Sequence, residues 1–222
     1  MERIHGKQTF QLDAADLERL LINYDEMLID IGTGDGRFVR EMAQERKTRL
    51  AIGIDACREN LREGSRRAPA NAIFLIARAE QLPHELYGLA THLTINFPWG
   101  SLLWGLLDGN TALLQSLAAI ARPGARLEVR LNPSALAVAG RALDEGAILV
   151  RRNLRDAGFA IEPPVELKTH ALRACPTTWA RKLAFGREPR ALLLAGTRMA
   201  AAADGMLARG AAVPSAAGIQ HQ

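Results

Sequence analysis

Only two cysteines, Cys57 and Cys175, occur in the chain, and they lie more than a hundred residues apart. That excludes a disulfide framework and a cysteine-based metal site, and it fits a reducing cytoplasm. Aromatic residues are scarce, at 5%, so any that fall in a polar, basic context stand out. No apolar run is long enough to cross a bilayer, and Met1 to Phe10 lacks the apolar segment of a secretory signal. Neither a membrane nor a metal is expected as a partner. No charge of one sign dominates: the net charge is +4 over 222 residues. Its distribution is uneven, however. Residues 1–121 carry 13 Lys/Arg against 16 Asp/Glu, residues 122–199 carry 14 against 7, and residues 200–222 are neutral. A basic half joined to a slightly acidic half points to a face that meets a polyanion. With 48% hydrophobic residues, the composition is that of an ordinary globular chain.

Apolar runs alternate with helical patterns along the chain. Gly6 to Leu12 alternates weakly, so residues 1–12 are expected to form a small hairpin or edge strand. Asp13 reads as a helix N-cap, with Asp16 completing a loose capping box ahead of Leu17, Leu20 and Leu21. Strands are predicted over Met27–Ile31, Leu50–Ile54, Ala72–Ile76, Leu93–Phe97 and Arg126–Leu131, the last after a turn at Arg122-Pro-Gly-Ala125. Helices are predicted over Phe38–Glu45, Arg58–Arg67, Ala112–Ile120 and Val150–Ala157, the last closed by Gly158. Phe159–Leu167 and Ala191–Thr197 complete the strands. The alternation predicts an α/β fold with right-handed crossovers: a Rossmann-like, mostly parallel seven-stranded sheet with helices on both faces. One domain is expected over 1–199, with a basic insertion at 168–190 between the last two strands. Residues 200–222, rich in Ala, Gly, Pro and Gln, are expected to be a disordered tail.

The first strand breaks into Asp30-Ile-Gly32-Thr33-Gly34-Asp-Gly36. Glycines let a strand turn sharply into a helix and let backbone N–H groups approach a ligand. The second strand ends on Asp55, placed to accept hydrogen bonds from ribose hydroxyls. The Gly-x-Gly-x-Gly spacing departs from the dinucleotide fingerprint, and the flanking Asp30 and Asp35 would repel a pyrophosphate. They suit a cationic amino-acid group, so S-adenosylmethionine is the expected cofactor. Ala79 and Glu80 follow the third strand, which places Glu80 or Gln81 for the adenine amino group.

The fourth strand ends in Phe97-Pro98-Trp99-Gly100. Methyltransferases acting on exocyclic amines often place Asn-Pro-Pro-Tyr there. Here an indole is kept and the amide beside the proline is absent, which favours a ring nitrogen as acceptor. A second tryptophan, Trp179, sits among Arg173, Arg181, Lys182, Arg187 and Arg190, with only Glu188 opposing them. An extruded base needs flat apolar faces on both sides and cations for its displaced phosphates. Trp99 and Trp179 are candidates for those faces.

These blocks, with Trp179-Ala-x-x-Leu-Ala-Phe-Gly-Arg187, resemble the aminoglycoside-resistance 16S rRNA methyltransferases that modify N1 of the decoding-site adenine. The likeness runs in order from about Gly6 to Thr197. It implies a class I methyltransferase fold and methylation of that adenine in the 30S subunit, yielding an N1-methyladenosine that opposes aminoglycosides. It implies that Asp30, Gly32, Thr33, Gly34, Asp55, Ala79, Glu80 and Pro98 line the cofactor pocket and that Trp99 and Trp179 sandwich a flipped adenine. Ser101 and Thr177 match small hydroxyl positions near cofactor and substrate. Lys182 and Arg187 match cations that meet RNA, Arg181 beside them is expected to join them, and Arg62, Arg66 and Arg67 fall in the family's basic segment after the second strand. The family's next arginine meets Pro189, a departure from the pattern, and Arg190, one residue on, is the candidate to replace it among the RNA contacts. A monomer is expected. Three rivals remain: a tRNA methyltransferase of the guanine-N7 kind, a non-catalytic RNA-binding relative, and a small-molecule methyltransferase, against which the basic tryptophan segment argues.

Overall fold

A computed structural model of the chain describes residues 1–186 and 189–200. Five parallel strands form the centre of one sheet: β3 (Glu26–Ile31), β4 (Arg49–Asp55), β5 (Ala72–Ile76), β6 (Ala90–Asn96) and β7 (Ala121–Leu131), in the order β5-β4-β3-β6-β7. Their nearly continuous apolar runs follow from burial on both faces. On β3, Met27, Ile29 and Ile31 face the larger core, shared with helices α4 (Gly100–Asp108), α5 (Thr111–Ile120) and α7 (Leu143–Asp156). Leu28 faces a smaller core with Phe38 and Val39 of α2 (Arg37–Glu45), Leu61 of α3 (Arg58–Arg66) and Phe74 of β5. Beyond β7, β10 (Ala191–Arg198) runs antiparallel and pairs on its other side with β8 (Phe159–Ile161) and β9 (Val165–Leu167). Between β9 and β10 lie two short helices, α8 (Thr169–Ala174) and α9 (Thr178–Ala184).

The mostly parallel α/β sheet matches the expectation; its strand number does not. The hairpin β1 (Glu2–His5) and β2 (Gln8–Gln11) joins the β5 edge through Ile4 and Phe74, and so adds two strands. Pro163-Pro164 has no N–H to give a ladder and splits the strand expected over 159–167 into β8 and β9, bringing the sheet to ten. Asp13 does cap α1 (Ala14–Leu21), accepting the Asp16 N–H at 2.8 Å, but the Asp16 carboxylate pairs with Arg19 rather than closing a capping box. The Arg122–Ala125 turn is a bulge inside β7, where pairing jumps from Ala90–Ala121 to His92–Arg126. Helix α4 follows closely on Pro98 and holds two glycines, which mask the single face formed by Leu102, Leu103, Leu106 and Leu107. Helix α6 (Pro133–Val138), capped by Asn132, is hidden behind its proline. Helix α7 starts seven residues earlier than expected because Gly146, an apparent helix breaker, is where α6 packs: a Cβ there would lie 2.0 Å from Leu136. The tail expected at 200–222 lies, from residue 201 on, outside the described residues.

One buried ring shapes the loop that matters most. Phe74 is fully buried, and a Cβ on Gly36 or Gly53 would lie 2.4 or 2.7 Å from it. Gly36 also sits at φ +68, a left-handed conformation that disfavours any side chain. Gly36→Ala is therefore expected to lower stability by roughly 2–4 kcal/mol, combining backbone strain with overpacking. Urea unfolding measures this; a loss under about 0.5 kcal/mol would mean that Phe74 yields freely.

Candidate active site

The carboxyl ends of β3, β4, β5 and β6 open into a cavity of about 560 Å³. The glycine turn forms one wall. Gly32 and Thr33 donate backbone N–H groups to the Ile54 carbonyl at 2.8 and 3.0 Å, closing the turn against β4. Gly34, at φ +58, has nothing within 4 Å of where a Cβ would stand and leaves its side of the loop open. Asp55, at the tip of β4, accepts the Gly34 N–H at 2.9 Å on Oδ2 and the Cys57 N–H at 2.8 Å on Oδ1. This fixes the carboxylate across the loop. Asp30 forms the floor, almost fully buried, and accepts hydrogen bonds from Thr94 Oγ1 at 2.7 Å and Asn96 Nδ2 at 2.8 Å, both on Oδ1. Burial pushes the Asp30 carboxyl up, opposed by these donors and by the charge of Arg130. With Asp35 and Glu80 also in the lining, the cavity holds four carboxyl groups against one cation, Arg78, which lies 3.6 Å from Glu80. Such a lining favours a cationic ligand and repels phosphates.

Phe97, Pro98 and Trp99 build the mouth. Phe97 is the one non-glycine residue with positive φ (53°) among the described residues, and its ring is 2% exposed. It packs with Leu172, Cys175, Ala180 and Leu183, so the end of β6 and the α8–α9 segment share a small core of their own. That turn swings the next indole back over the cavity. Trp99 and Trp179 stack directly, with ring centroids 5.0 Å apart and planes 27° from parallel. Thr178 Oγ1 donates to Asp35 Oδ2 at 2.6 Å, tying α9 to the glycine turn. The Lys182 ammonium lies over the Trp179 ring, 4.8 Å from its centroid. Trp99 Nε1 is buried without a partner among the described residues, which leaves a donor for a ligand.

All the residues expected to line the cofactor pocket do border this cavity, together with Ser101, Thr177 and both indoles. Thr177 also serves the local backbone, since its hydroxyl caps α9 by accepting the Ala180 N–H at 2.9 Å. Glu80 borders the cavity and Gln81 does not. The expected RNA contacts divide three ways. Arg181 and Lys182 are exposed on α9 and have no ion-pair partner among the described residues. Arg62, Arg66 and Arg67 pair with Glu59 and Glu63 on the exposed face of α3. Surface pairs of this kind are weak and can yield to a phosphate. Arg190 is paired in the same exposed way, with both oxygens of Asp144 at 3.1 Å and with Glu166 at 3.5 Å. It links the start of α7 to β9. Arg187 lies outside the described residues.

Phe38, Asn60 and Leu102 also border the cavity, and no motif marks them as lining residues. Of these, Asn60 carries a usable signal: it sits in the first turn of α3 and donates to Asp55 Oδ1 at 3.3 Å. Glu128 on β7 reads in the sequence as an ordinary strand charge, yet it is buried and faces three basic side chains: Arg130 at 2.7 Å, Arg126, and His92 at 3.7 Å.

Comparison with known proteins follows the same lines. Residues 2–198 match the family model described as NpmA, 16S rRNA (adenine(1408)-N(1))-methyltransferase. A curated 16S rRNA (adenine(1408)-N(1))-methyltransferase of Escherichia coli is 30% identical over 203 residues, covering 83% of this chain and 93% of the relative. The crystal structure of the 16S rRNA methyltransferase KamB superposes with a TM-score of 0.81 at 30% identity, covering 90% of this chain and 100% of KamB. A variant of the Catenulisporales acidiphilia 16S rRNA (adenine(1408)-N(1))-methyltransferase, solved with cosubstrate SAM, gives a TM-score of 0.80 over 90% of this chain and 97% of its own. At 24% identity it shares the fold alone.

Two outcomes follow from this geometry. Phe97→Ala removes the ring that joins β6 to α8–α9, so limited proteolysis within residues 168–186 is expected to quicken by about tenfold while the sheet stays folded. Unchanged protection would show that the segment is held without that ring. At Glu128, burial alone would raise the pKa, but the neighbouring His92, Arg130 and Arg126 hold it at about 2, below the ordinary 4.5. A depressed folded value means stability that is present above pH 4.5 and lost as pH falls from 4.5 toward 2. Glu128→Gln is expected to flatten the stability profile in that window, as followed by chemical unfolding at a series of pH values. An unaltered slope would assign the acid sensitivity elsewhere.

Proposed function

The chain belongs to the NpmA family of 16S rRNA (adenine(1408)-N(1))-methyltransferases, and on that premise we propose that it methylates N1 of adenine 1408 in the 16S rRNA of the 30S subunit. The contact between Trp99 and Trp179, at the mouth of an acidic cavity walled by a glycine turn, is the observation that carries this. S-adenosylmethionine supplies an electrophilic methyl group, and the lining fits it: it bears an ammonium, a ribose and an adenine but no phosphate. Asp30 and Asp35 suit the ammonium, and Asp55 suits the ribose hydroxyls. Glu80, beside Ala79, suits the adenine amino group, and the open side of Gly34 admits close approach of a ligand to backbone.

The target base belongs between the indoles. They now touch, so admitting a purine means parting them by roughly 3.4 Å, the rise of one stacked base. The exchange is favourable in scale: an aromatic pair is worth about 0.5–1.5 kcal/mol beyond area burial. Base–aromatic stacking is worth about 1–3 kcal/mol per base. Adenine N1 already presents a lone pair in the ring plane and carries no proton to remove. Trp99 and Trp179 therefore act by orientation, and no side chain need serve as a base. Arg181, Lys182 and the α3 arginines meet the phosphates displaced around the flipped nucleotide. The modified adenine gains a positive charge and loses its N1 acceptor, both unfavourable to a cationic aminoglycoside docking on it. A single chain acts in this way, on ribosomal particles in the cytoplasm. No helix among the described residues is long and apolar enough to cross a membrane.

Methyl transfer from tritiated S-adenosylmethionine to purified 30S subunits, followed by primer extension, tests this directly. The expected result is a stop at adenine 1408, with Trp99→Ala and Trp179→Ala each lowering the rate by about 100-fold or more. Trp179→Ala should keep its affinity for S-adenosylmethionine within a few-fold. Label on tRNA or at another nucleotide would contradict the assignment, as would normal turnover in the tryptophan variants.

A further inference from the structure

Behind Asp30 runs a line of polar side chains that reaches away from the cavity. Strand register sets it out: Asp30 lies beside Thr94, Thr94 beside Glu128, and Asn96 beside Arg130. The period-2 alternation of β3, β6 and β7 turns these residues to one face. Arg130 Nη1 donates to Asn96 Oδ1 at 2.9 Å, and Arg130 Nη2 donates to Glu128 Oε2 at 2.7 Å. Asn96 Nδ2 then donates to Asp30 Oδ1 at 2.8 Å. Arg130 itself does not border the cavity, whereas Asn96 and Asp30 do.

We propose that Arg130 is a positioning residue for the amino-acid end of the cofactor, acting through Asn96 on Asp30; this rests on the S-adenosylmethionine site described above. The physics lies in the amide. An asparagine side chain presents an acceptor at one end and donors at the other, and rotation by half a turn exchanges them. With Arg130 donating to its oxygen, the amide must point its NH₂ at Asp30. Reversed, it would set oxygen against carboxylate and NH₂ against guanidinium, two repulsive contacts. Glu128 fixes the other arm of the guanidinium, and the planar fork transmits that placement as a flexible lysine ammonium cannot. The Arg130 guanidinium also lies over the Phe38 ring, 6.0 Å from its centroid, which restrains it from a third side. Asp30 is thereby supplied with fixed donors on Oδ1. A nearly fully buried carboxylate needs such donors to stay ionised and hold a cation.

Because the effect is confined to the ammonium end, it separates from general damage to the pocket. Calorimetry compares S-adenosylmethionine, S-adenosylhomocysteine and 5′-methylthioadenosine, the last being a nucleoside thioether without the amino-acid group. Arg130→Met is expected to weaken the first two by roughly 10–100-fold, the range for losing a hydrogen bond to a charged group. Binding of 5′-methylthioadenosine should stay within about twofold, and Arg130→Lys should restore only part of the loss. Equal weakening of all three ligands would overturn the proposal, as would unchanged binding of all three. Should Arg130→Met not fold, Glu128→Gln keeps the side-chain shape and loosens the same anchor. It is expected to give a smaller loss with the same selectivity for the amino-acid ligands, and a loss without that selectivity would overturn the proposal. Failure of the unaltered protein to bind S-adenosylmethionine at all would instead bring down the cofactor site itself.

Discussion

Two indoles from segments eighty residues apart rest against each other, and the mouth of the site exists because they do. Neither strand nor helix propensity brings them together. Phe97 does, by adopting a left-handed conformation that costs about 1–2 kcal/mol for a residue with a Cβ. Burial of the same ring among Leu172, Cys175 and Leu183 offsets that strain. The strained turn and the small core are thus one device: the first aims Trp99, and the second holds the helix that carries Trp179. The Thr178–Asp35 hydrogen bond adds a third point of attachment, joining this helix to the glycine turn. Cofactor wall, substrate faces and basic helix are consequently one connected unit.

Charge is partitioned across that unit. Four carboxyl groups against one cation, Arg78, line the cavity, and Arg181 and Lys182 stand on the α9 helix outside it. A cationic cofactor and a polyanionic substrate are drawn to different zones of a site only a few side chains deep, because each zone repels the other's ligand. The modest net charge of the whole chain conceals this, since it sums two opposed regions. Within the sheet, the buried acids are not left alone. Asp30 and Glu128 are both supplied with donors, and Arg130 connects them through Asn96.

What the sequence disclosed was local chemistry. Alternate glycines after an apolar run, a carboxylate ending the next strand, and tryptophans in polar company all announce themselves within a few residues. Their joint placement in one cavity then follows from a single rule, that the carboxyl ends of parallel strands share an edge. What stayed hidden depends on partners distant in sequence. The need for glycine at positions 36 and 53 is set by Phe74, on another strand. The start of α7 is masked by Gly146, whose reason is Leu136 across a helix contact. Arg190 reads as one more cation in a basic stretch until Asp144 and Glu166 are seen to hold it. The route from Arg130 to Asp30 crosses three strands and is visible only through their register. Local punctuation also misled at α4, where Pro98 and two glycines mask a single leucine face, and at β7, where a bulge carries the strand through an apparent turn.

The most direct measurement is a cryo-electron microscopy structure of the protein on the 30S subunit with S-adenosylhomocysteine bound. If the indoles bracket the substrate, adenine 1408 lies outside the rRNA helix between Trp99 and Trp179, and the ring separation has grown from 5.0 Å by roughly the 3.4 Å rise of one stacked base. An adenine still stacked in its helix, or indoles still in contact with the base seated elsewhere, would contradict that arrangement.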